Sequence, residues 1–169
     1  MKRSWIRVVV VALLLVIAGI YVAYRTQSAD AKKETGPVKI SQTTEDWQVL
    51  ETDHFTIMAP AGWKFNQGRG TDSYVGTFDG EGISLEFDYG IYSNSLADDN
   101  NPDYTIKYET IDGQNARLVK PVGANGLTGV YFGKLGKYNR LNIYGRDLSE
   151  SNKELTLRVV RTLKFKDLK

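Results

Sequence analysis

The apolar positions of this chain follow two patterns, which divide it into a membrane-type segment and a strand-rich domain. Residues 8–24 form an apolar run of about 17 residues without a charge, and a helix of that length nearly crosses a hydrocarbon core of about 30 Å. From residue 46 onward, apolar and polar residues alternate with period 2. That alternation is typical of strands with one buried face.

These patterns predict four parts. Residues 1–7 are a short basic cytoplasmic tail, residues 8–24 a transmembrane signal anchor, residues 25–45 a flexible linker, and residues 46–169 one globular domain. The linker is polar, has no apolar period and contains Gly36-Pro37, which disfavours a helix. The membrane is therefore a predicted partner, reached through the N-terminal helix.

A cleaved secretory signal is the alternative, because Ala29-Asp30-Ala31 offers an A-x-A cleavage site. The anchor is favoured because its run exceeds the 7–15 apolar residues of an ordinary signal. Positive charges lie on both sides of the run, three before it and Arg25, Lys32 and Lys33 beyond it. Because the first group abuts the apolar core, we expect a single-pass protein of the cytoplasmic membrane, with its domain on the non-cytoplasmic side.

Strands and turns follow one another through the domain. Alternation predicts a strand from Phe55 that ends at Pro60. Residues 74–78 and 83–89 then form a hairpin, with residues 79–82 (Asp-Gly-Glu-Gly) as a four-residue loop. In the second strand, Ile, Leu, Phe and Tyr alternate with Ser, Glu and Asp, so one face is apolar and the other acidic.

Two further strand pairs and a helix complete the domain. Residues 104–108 and 116–118 flank the turn signal Asp112-Gly113, and residues 130–132 and 141–143 form the other pair. Residues 151–154 match a capping box, and apolar residues at helical spacing follow it. The expected fold class is α+β: a largely antiparallel sheet with a C-terminal helix packed on it.

Charge and composition exclude several classes of protein. Four of the 22 basic residues lie within the first 25 positions, and removing them leaves 18 basic against 20 acidic residues. That balance argues against a nucleic-acid partner, which would require a clustered positive face. The absence of cysteine excludes disulfides, thiolate metal sites and a cysteine nucleophile.

Catalytic patterns are weak throughout. His54, the only histidine, stands beside Asp53, but the chain has no G-x-S-x-G turn. Glu86 and Asp88 share a strand face at a spacing seen in glycoside hydrolases, although wet sheet faces carry such pairs commonly. We predict no catalytic residue, no cofactor and no enzymatic activity; an envelope enzyme is the less favoured alternative.

A loop offers weak candidates for calcium. Asp99, Asn101 and Asp103 have the spacing that opens an EF-hand, and Asp98 adjoins them. Tyr104 stands where an EF-hand requires glycine, so a solvated acidic loop is the default interpretation and no metal site is predicted.

Three aromatic residues are the candidates for recognition: Trp63, Tyr89 and Tyr92. Aromatic side chains near turns provide contact area at a small entropic cost. Gly90 predicts a bend that brings Tyr92 to the end of the sheet, where loops carry function.

The order of elements resembles the PsbP-like fold group. The similarity rests on the short strand before residues 60–63 (Pro-Ala-Gly-Trp), the hairpin, and a terminal helix that ends in residues 161–165 (Arg-Thr-Leu-Lys-Phe). It implies an antiparallel sheet flanked by helices, and a binding or accessory role without catalysis. We therefore expect a membrane-anchored envelope protein that contacts a partner protein or an envelope component. A secreted ligand-binding or calcium-binding module is the alternative.

Overall fold

Ten strands and one helix form the part of the chain described by the computed structural model, residues 46–166 and Leu168. The strands are β1 Trp47–Glu51, β2 Phe55–Pro60, β3 Lys64–Gln67, β4 Ser73–Gly80, β5 Ile83–Gly90, β6 Tyr104–Ile111, β7 Gln114–Pro121, β8 Leu127–Leu135, β9 Asn139–Arg146 and β10 Lys164–Phe165, and helix α1 spans Glu150–Val160. The predicted tail, anchor and linker lie outside these residues. Among the described residues, no helix has the length and apolar character needed to cross a bilayer.

The strands form two antiparallel sheets. The large sheet has seven strands in the order β3-β4-β5-β9-β8-β7-β6, and the small sheet has three in the order β1-β2-β10. The predicted α+β class, with a largely antiparallel sheet and a C-terminal helix, is therefore confirmed. The small sheet was not predicted, because its outer strands are too short to show an alternation.

The two predicted hairpin turns have the same geometry. Gly80 still pairs with Ile83, so the β4–β5 turn consists of Glu81 and Gly82 alone, and the predicted four-residue loop is wrong. Both residues have positive φ, 52° and 75°. The predicted turn at Asp112-Gly113 is confirmed, with φ of 48° and 75°. Positive φ at both positions gives a twist that matches the flanking strands.

The predicted division of β5 into an apolar and an acidic face is confirmed. Leu85 and Phe87 are buried on one face of the large sheet, which we call the inner face, and Glu86 is exposed on the other, the outer face. Successive strand residues point to opposite faces, and paired residues across the sheet share a face. The inner face is covered by the small sheet and by α1, which contacts β8, β9 and β2.

Aromatic contacts join the small sheet to the large one. The Phe55 ring of β2 lies 5.4 Å from the Phe87 ring and 6.1 Å from the Phe78 ring, each in an edge-to-face arrangement. Ile57 and Ala59, on the same face of β2, are also fully buried. Apolar burial of this kind contributes about 1.5–3 kcal/mol per large side chain.

The N-cap of helix α1 lies two residues before the predicted capping box. Ser149 is the N-cap, and its hydroxyl accepts a hydrogen bond from the Asn152 N–H at 3.4 Å. The predicted box at residues 151–154 is therefore wrong, since those residues already lie inside the helix. The apolar positions that predicted the helix are confirmed, because Leu155, Val159 and Val160 pack in the core.

We expect Phe55→Ala to lower the free energy of unfolding by about 3–5 kcal/mol, because it leaves a cavity between the two sheets. Val49→Ala is the matched control, since Val49 lies on the neighbouring strand and is 62% exposed; its effect should stay within about 0.5 kcal/mol. Urea unfolding followed by far-UV circular dichroism measures both. Equal losses in the two variants would contradict this account of the core.

Candidate functional site

The connection between β5 and β6, residues 91–103, lies on the outer face of the large sheet. β5 and β6 run in the same direction and are separated by β9, β8 and β7. Their connection must therefore return the chain from one end of the sheet to the other. We call it the crossing loop.

Arg117 of β7 holds the crossing loop against the sheet. Its guanidinium donates to Asp99 Oδ1 at 2.9 Å, to the Ala97 carbonyl at 2.7 Å and to the Ser95 carbonyl. Arg117 is only 6% exposed, so each of these donors replaces a hydrogen bond to water that burial removes. Charge-assisted hydrogen bonds of this kind are about twice as strong as neutral ones.

Two contacts hold the start of the same loop. Asn142 of β9 donates from Nδ2 to the Asn94 carbonyl at 3.2 Å, and the Ser93 hydroxyl donates to the Asp88 carbonyl at 2.7 Å. Asn142 and Ser93 are both buried. The loop is therefore attached to β5, β9 and β7 through polar groups that water does not reach.

A cleft of about 560 Å³ lies between the crossing loop and strands β6, β7 and β8. We define the cleft by the side chains that line it, which include Asp98, Asp99, Tyr108, Gln114, Asn115, Tyr131 and Lys134. Its volume falls in the range of about 300–1,000 Å³ that is usual for ligand sites. The walls combine two aromatic rings with amide, carboxylate and ammonium groups.

Asp99 joins the crossing loop to β6 and β7 through two hydrogen bonds. The Tyr108 hydroxyl donates to Asp99 Oδ1 at 2.9 Å, and Arg117 donates to the same oxygen. These hydrogen bonds, that of Tyr108 first, hold the pKa of the Asp99 carboxyl below its usual value. The same hydrogen bond fixes the orientation of the Tyr108 ring, which is 67% exposed.

Two of the four calcium candidates, Asp99 and Asn101, have side-chain hydrogen bonds within the protein. Besides the engagement of Asp99, Asn101 Oδ1 accepts a hydrogen bond from the Asp103 N–H at 2.9 Å, and the Asp98 carbonyl accepts from the Asn101 N–H at 3.2 Å. Over residues 46–166 and Leu168, no three His, Cys, Asp or Glu side chains are grouped as metal ligands.

Trp63 lies apart from the other two recognition candidates. It is 2% exposed and belongs to the core, where a Cβ added to Gly80 would lie 2.1 Å from its ring. That places it beside the β4–β5 turn, whereas Tyr89 lies about 20 Å further along β5, at about 3.3 Å per residue. In this structure Trp63 has a packing role and is not accessible to a partner.

Tyr89 is half-buried and is held by two contacts. Its ring stacks on the His54 ring with centroids 4.4 Å apart, and its hydroxyl accepts a hydrogen bond from Asn139 Nδ2 at 3.1 Å. The Tyr74 ring is nearly perpendicular to the His54 ring, with centroids 5.0 Å apart. His54 therefore packs between two tyrosines, which gives the single histidine a structural position.

Tyr92 belongs to an exposed aromatic group at this end of the sheet. Gly90 pairs with Arg140, so Ile91 and Tyr92, which follow β5, lie at the same end of the large sheet as Tyr138, which precedes β9. Ile91, Tyr92 and Tyr138 are 51%, 74% and 64% exposed. Together with the exposed cations Lys137 and Arg140, they form what we call the aromatic end.

The two carboxylates of β5, Glu86 and Asp88, have different surroundings, since Asp88 Oδ1 is buried without a hydrogen-bond partner among the described residues. Glu86 accepts a hydrogen bond from the Tyr144 hydroxyl at 2.8 Å. Burial, followed by this carboxylate, raises the pKa of Tyr144 to about 12. A phenol with that pKa stays protonated and donates to Glu86 at neutral pH, so the contact cross-links β5 and β9.

Sequence reasoning missed Arg117, Tyr108, Tyr131 and Tyr138. Arg117 carried a usable signal, because it is a charged residue inside the apolar run Ala116–Val119, where a buried cation must find partners. The tyrosines carried no such signal, because alternation does not show which tyrosines, on either face of the sheet, contact a loop.

Comparison with known proteins found no match: no family model fits the chain, and neither a curated protein nor a solved structure is similar to it. The resemblance to the PsbP-like group therefore stays a prediction. Within the described residues the single helix lies on the inner face, and the outer face carries the crossing loop.

We expect Arg117→Ala to release the crossing loop, because the Ser95 and Ala97 carbonyls lose their donors. The amides of residues 94–99 should exchange hydrogen faster, and the free energy of unfolding should fall by about 1–3 kcal/mol. Arg146→Ala removes an exposed cation of the same sheet and serves as the control. Unchanged exchange in the Arg117 variant would show that the loop is held by other contacts.

Asp99 should stabilise the loop in a pH-dependent way. Because its pKa is lowered in the folded protein, its contribution is complete above the unfolded value of about 3.9 and is lost as pH falls through the lower folded value. We expect the difference in thermal midpoint between the natural protein and Asp99→Asn to be largest near neutral pH and to shrink in acid. A difference independent of pH would contradict the assignment.

Proposed function

We propose that this protein is a membrane-anchored, non-catalytic accessory protein of the cell envelope that binds a partner protein through the aromatic end. The observation that carries the proposal is the grouping of Ile91, Tyr92 and Tyr138, all more than half exposed, at one end of the large sheet. Tyrosine is enriched at protein interfaces because it offers a large rigid contact surface and a polar hydroxyl.

Charge at the aromatic end favours an acidic partner surface. Lys137 and Arg140 flank the tyrosines, and neither forms a salt bridge with another described residue. The Lys137 ammonium lies 4.9 Å from the centre of the Tyr138 ring, so cation and aromatic surface are presented together. Carboxylates on a partner would pair with these cations and accelerate encounter.

The base of the aromatic end is supported before any partner arrives. Tyr89 is held by its stacking on His54 and by its hydrogen bond from Asn139, and Asn139 directly follows Tyr138 in the chain. A supported surface loses less conformational entropy on binding, which raises affinity without new contacts. Tyr89 therefore acts mainly as a support, and Tyr92 as a contact.

The predicted anchor at residues 8–24 would strengthen such binding. A protein confined to the membrane meets a membrane partner at a high effective concentration, so modest intrinsic affinity is sufficient. In this proposal the single-pass anchor lies in the cytoplasmic membrane, and the domain stands on its non-cytoplasmic side.

Site-specific photo-crosslinking of the full chain in its native cells tests the proposal. A photoreactive amino acid replaces Tyr92, Tyr138 or, as a matched control, Val49, which is similarly exposed but lies on the small sheet. We expect one discrete adduct from the first two positions and none from Val49. The adduct should weaken when Lys137→Glu and Arg140→Glu are introduced, because both cations are then reversed.

The captured protein is then purified and titrated against the natural chain and the Tyr92→Ala variant. We expect Tyr92→Ala to weaken binding at least tenfold, in the range of an interface hot spot. Adducts of equal yield at all three positions, or a partner whose affinity is insensitive to Tyr92→Ala, would refute the aromatic end as the docking surface.

A further inference from the structure

We propose that the cleft beneath the crossing loop is a second binding site, which takes a neutral, hydroxyl-rich ligand: a glycan segment. This site is separate from the aromatic end, because its walls come from the crossing loop and from β6, β7 and β8. It does not depend on the partner protein proposed above.

The depression exists because the ladder between β7 and β8 stops early. Its last register pair in this direction is Arg117 with Tyr131, whereas β6 and β7 pair as far as Ile111 with Gln114. If the β7–β8 register continued, Asn115 would lie opposite Gly133. Gly133 falls at the irregularity in β8, between Phe132 and Leu135. Main-chain groups at the floor of the cleft are therefore outside the β7–β8 ladder.

Gly133 keeps the floor open. A Cβ at this position would lie 3.2 Å from the Tyr131 ring, so a side chain there would press on the ring or displace it. Without one, the Tyr131 ring and the main chain at Gly133 both border the cleft. A ligand can therefore contact an aromatic ring and backbone polar groups at the same time.

The free polar groups of the cleft select against charged ligands. Arg117 is 6% exposed and directs three of its five N–H donors to the loop, so little of its guanidinium is open to an anion. Asp99 is paired with Arg117, so Lys134 and Asp98 are the remaining charged side chains of the lining, and their charges balance. A phosphate or sulfate ester would therefore find no net positive charge in the cleft, and an apolar ligand would desolvate all of these groups.

The remaining side chains fit hydroxyl groups and sugar rings. Gln114 and Asn115 make no side-chain hydrogen bond to any other described residue, so their amides can both donate and accept. Asp98 offers acceptors, and the exposed Tyr108 ring offers a flat face for the C–H surface of a pyranose. Because Asp99 already holds the Tyr108 hydroxyl, this ring is preorganised and loses little entropy on binding.

The test is a titration of the full chain in lipid nanodiscs, followed by saturation-transfer NMR and calorimetry. The probes are cellotetraose, the tetramer of N-acetylglucosamine, a sulfated cello-oligosaccharide and an uncharged Gly/Ser peptide. We expect a neutral oligosaccharide to bind saturably and the sulfated probe and the peptide not to bind. The first two probes distinguish plain hydroxyl recognition from recognition of N-acetyl groups.

Variants assign the binding to the cleft. Tyr108→Ala should weaken association about tenfold, and Asn115→Ala, which changes an exposed side chain without partners, should weaken it several-fold and leave the fold intact. Tyr92→Ala, at the aromatic end, is the control and should bind normally. The proposal fails if no neutral oligosaccharide binds, if the sulfated probe or the peptide binds instead, or if Asn115→Ala and Tyr108→Ala have no effect.

Discussion

The hydrogen bonds from the buried Arg117 guanidinium to the crossing loop are the interaction on which the cleft depends. β5 and β6 run in the same direction with three strands between them, so a loop must cross the outer face of the large sheet. A polar loop that lies on a sheet loses hydrogen bonds to water. Arg117 replaces them by donating to Asp99 and to the Ser95 and Ala97 carbonyls. Without these bonds the cleft would lose one wall.

The two faces of the large sheet are used for different purposes. The inner face carries the apolar core, in which Phe55 joins the sheets through Phe78 and Phe87. The outer face carries polar contacts such as Tyr144 to Glu86. A sheet stabilised from one side leaves its other side free to hold a loop and a binding cleft, since substitutions there do not open the core.

Much of the fold could be predicted from the sequence, because its signals are local. The alternation along β5 depends on neighbours two residues apart, and the Asp112-Gly113 turn depends on residues that accept positive φ. Local signals were less accurate at boundaries: the β4–β5 ladder continues to Gly80 and shortens the turn, and Ser149 caps α1 ahead of the predicted box. In both cases two neighbouring groups of residues could form the turn or the cap, and the sequence pattern alone does not distinguish them.

The sequence by itself determined the α+β class, the paired strands, the terminal helix, and the absence of cysteine chemistry, because each depends on residue type or short-range spacing. Only the tertiary structure decided which aromatic residues are accessible: Trp63 is buried against Gly80, whereas Tyr92 and Tyr138 are exposed at the end of the sheet where Gly90 pairs with Arg140. Only the tertiary structure brought Arg117 to Asp99. The physical reason is that strand order and the path of the crossing loop are set by contacts between distant residues, which no local pattern records.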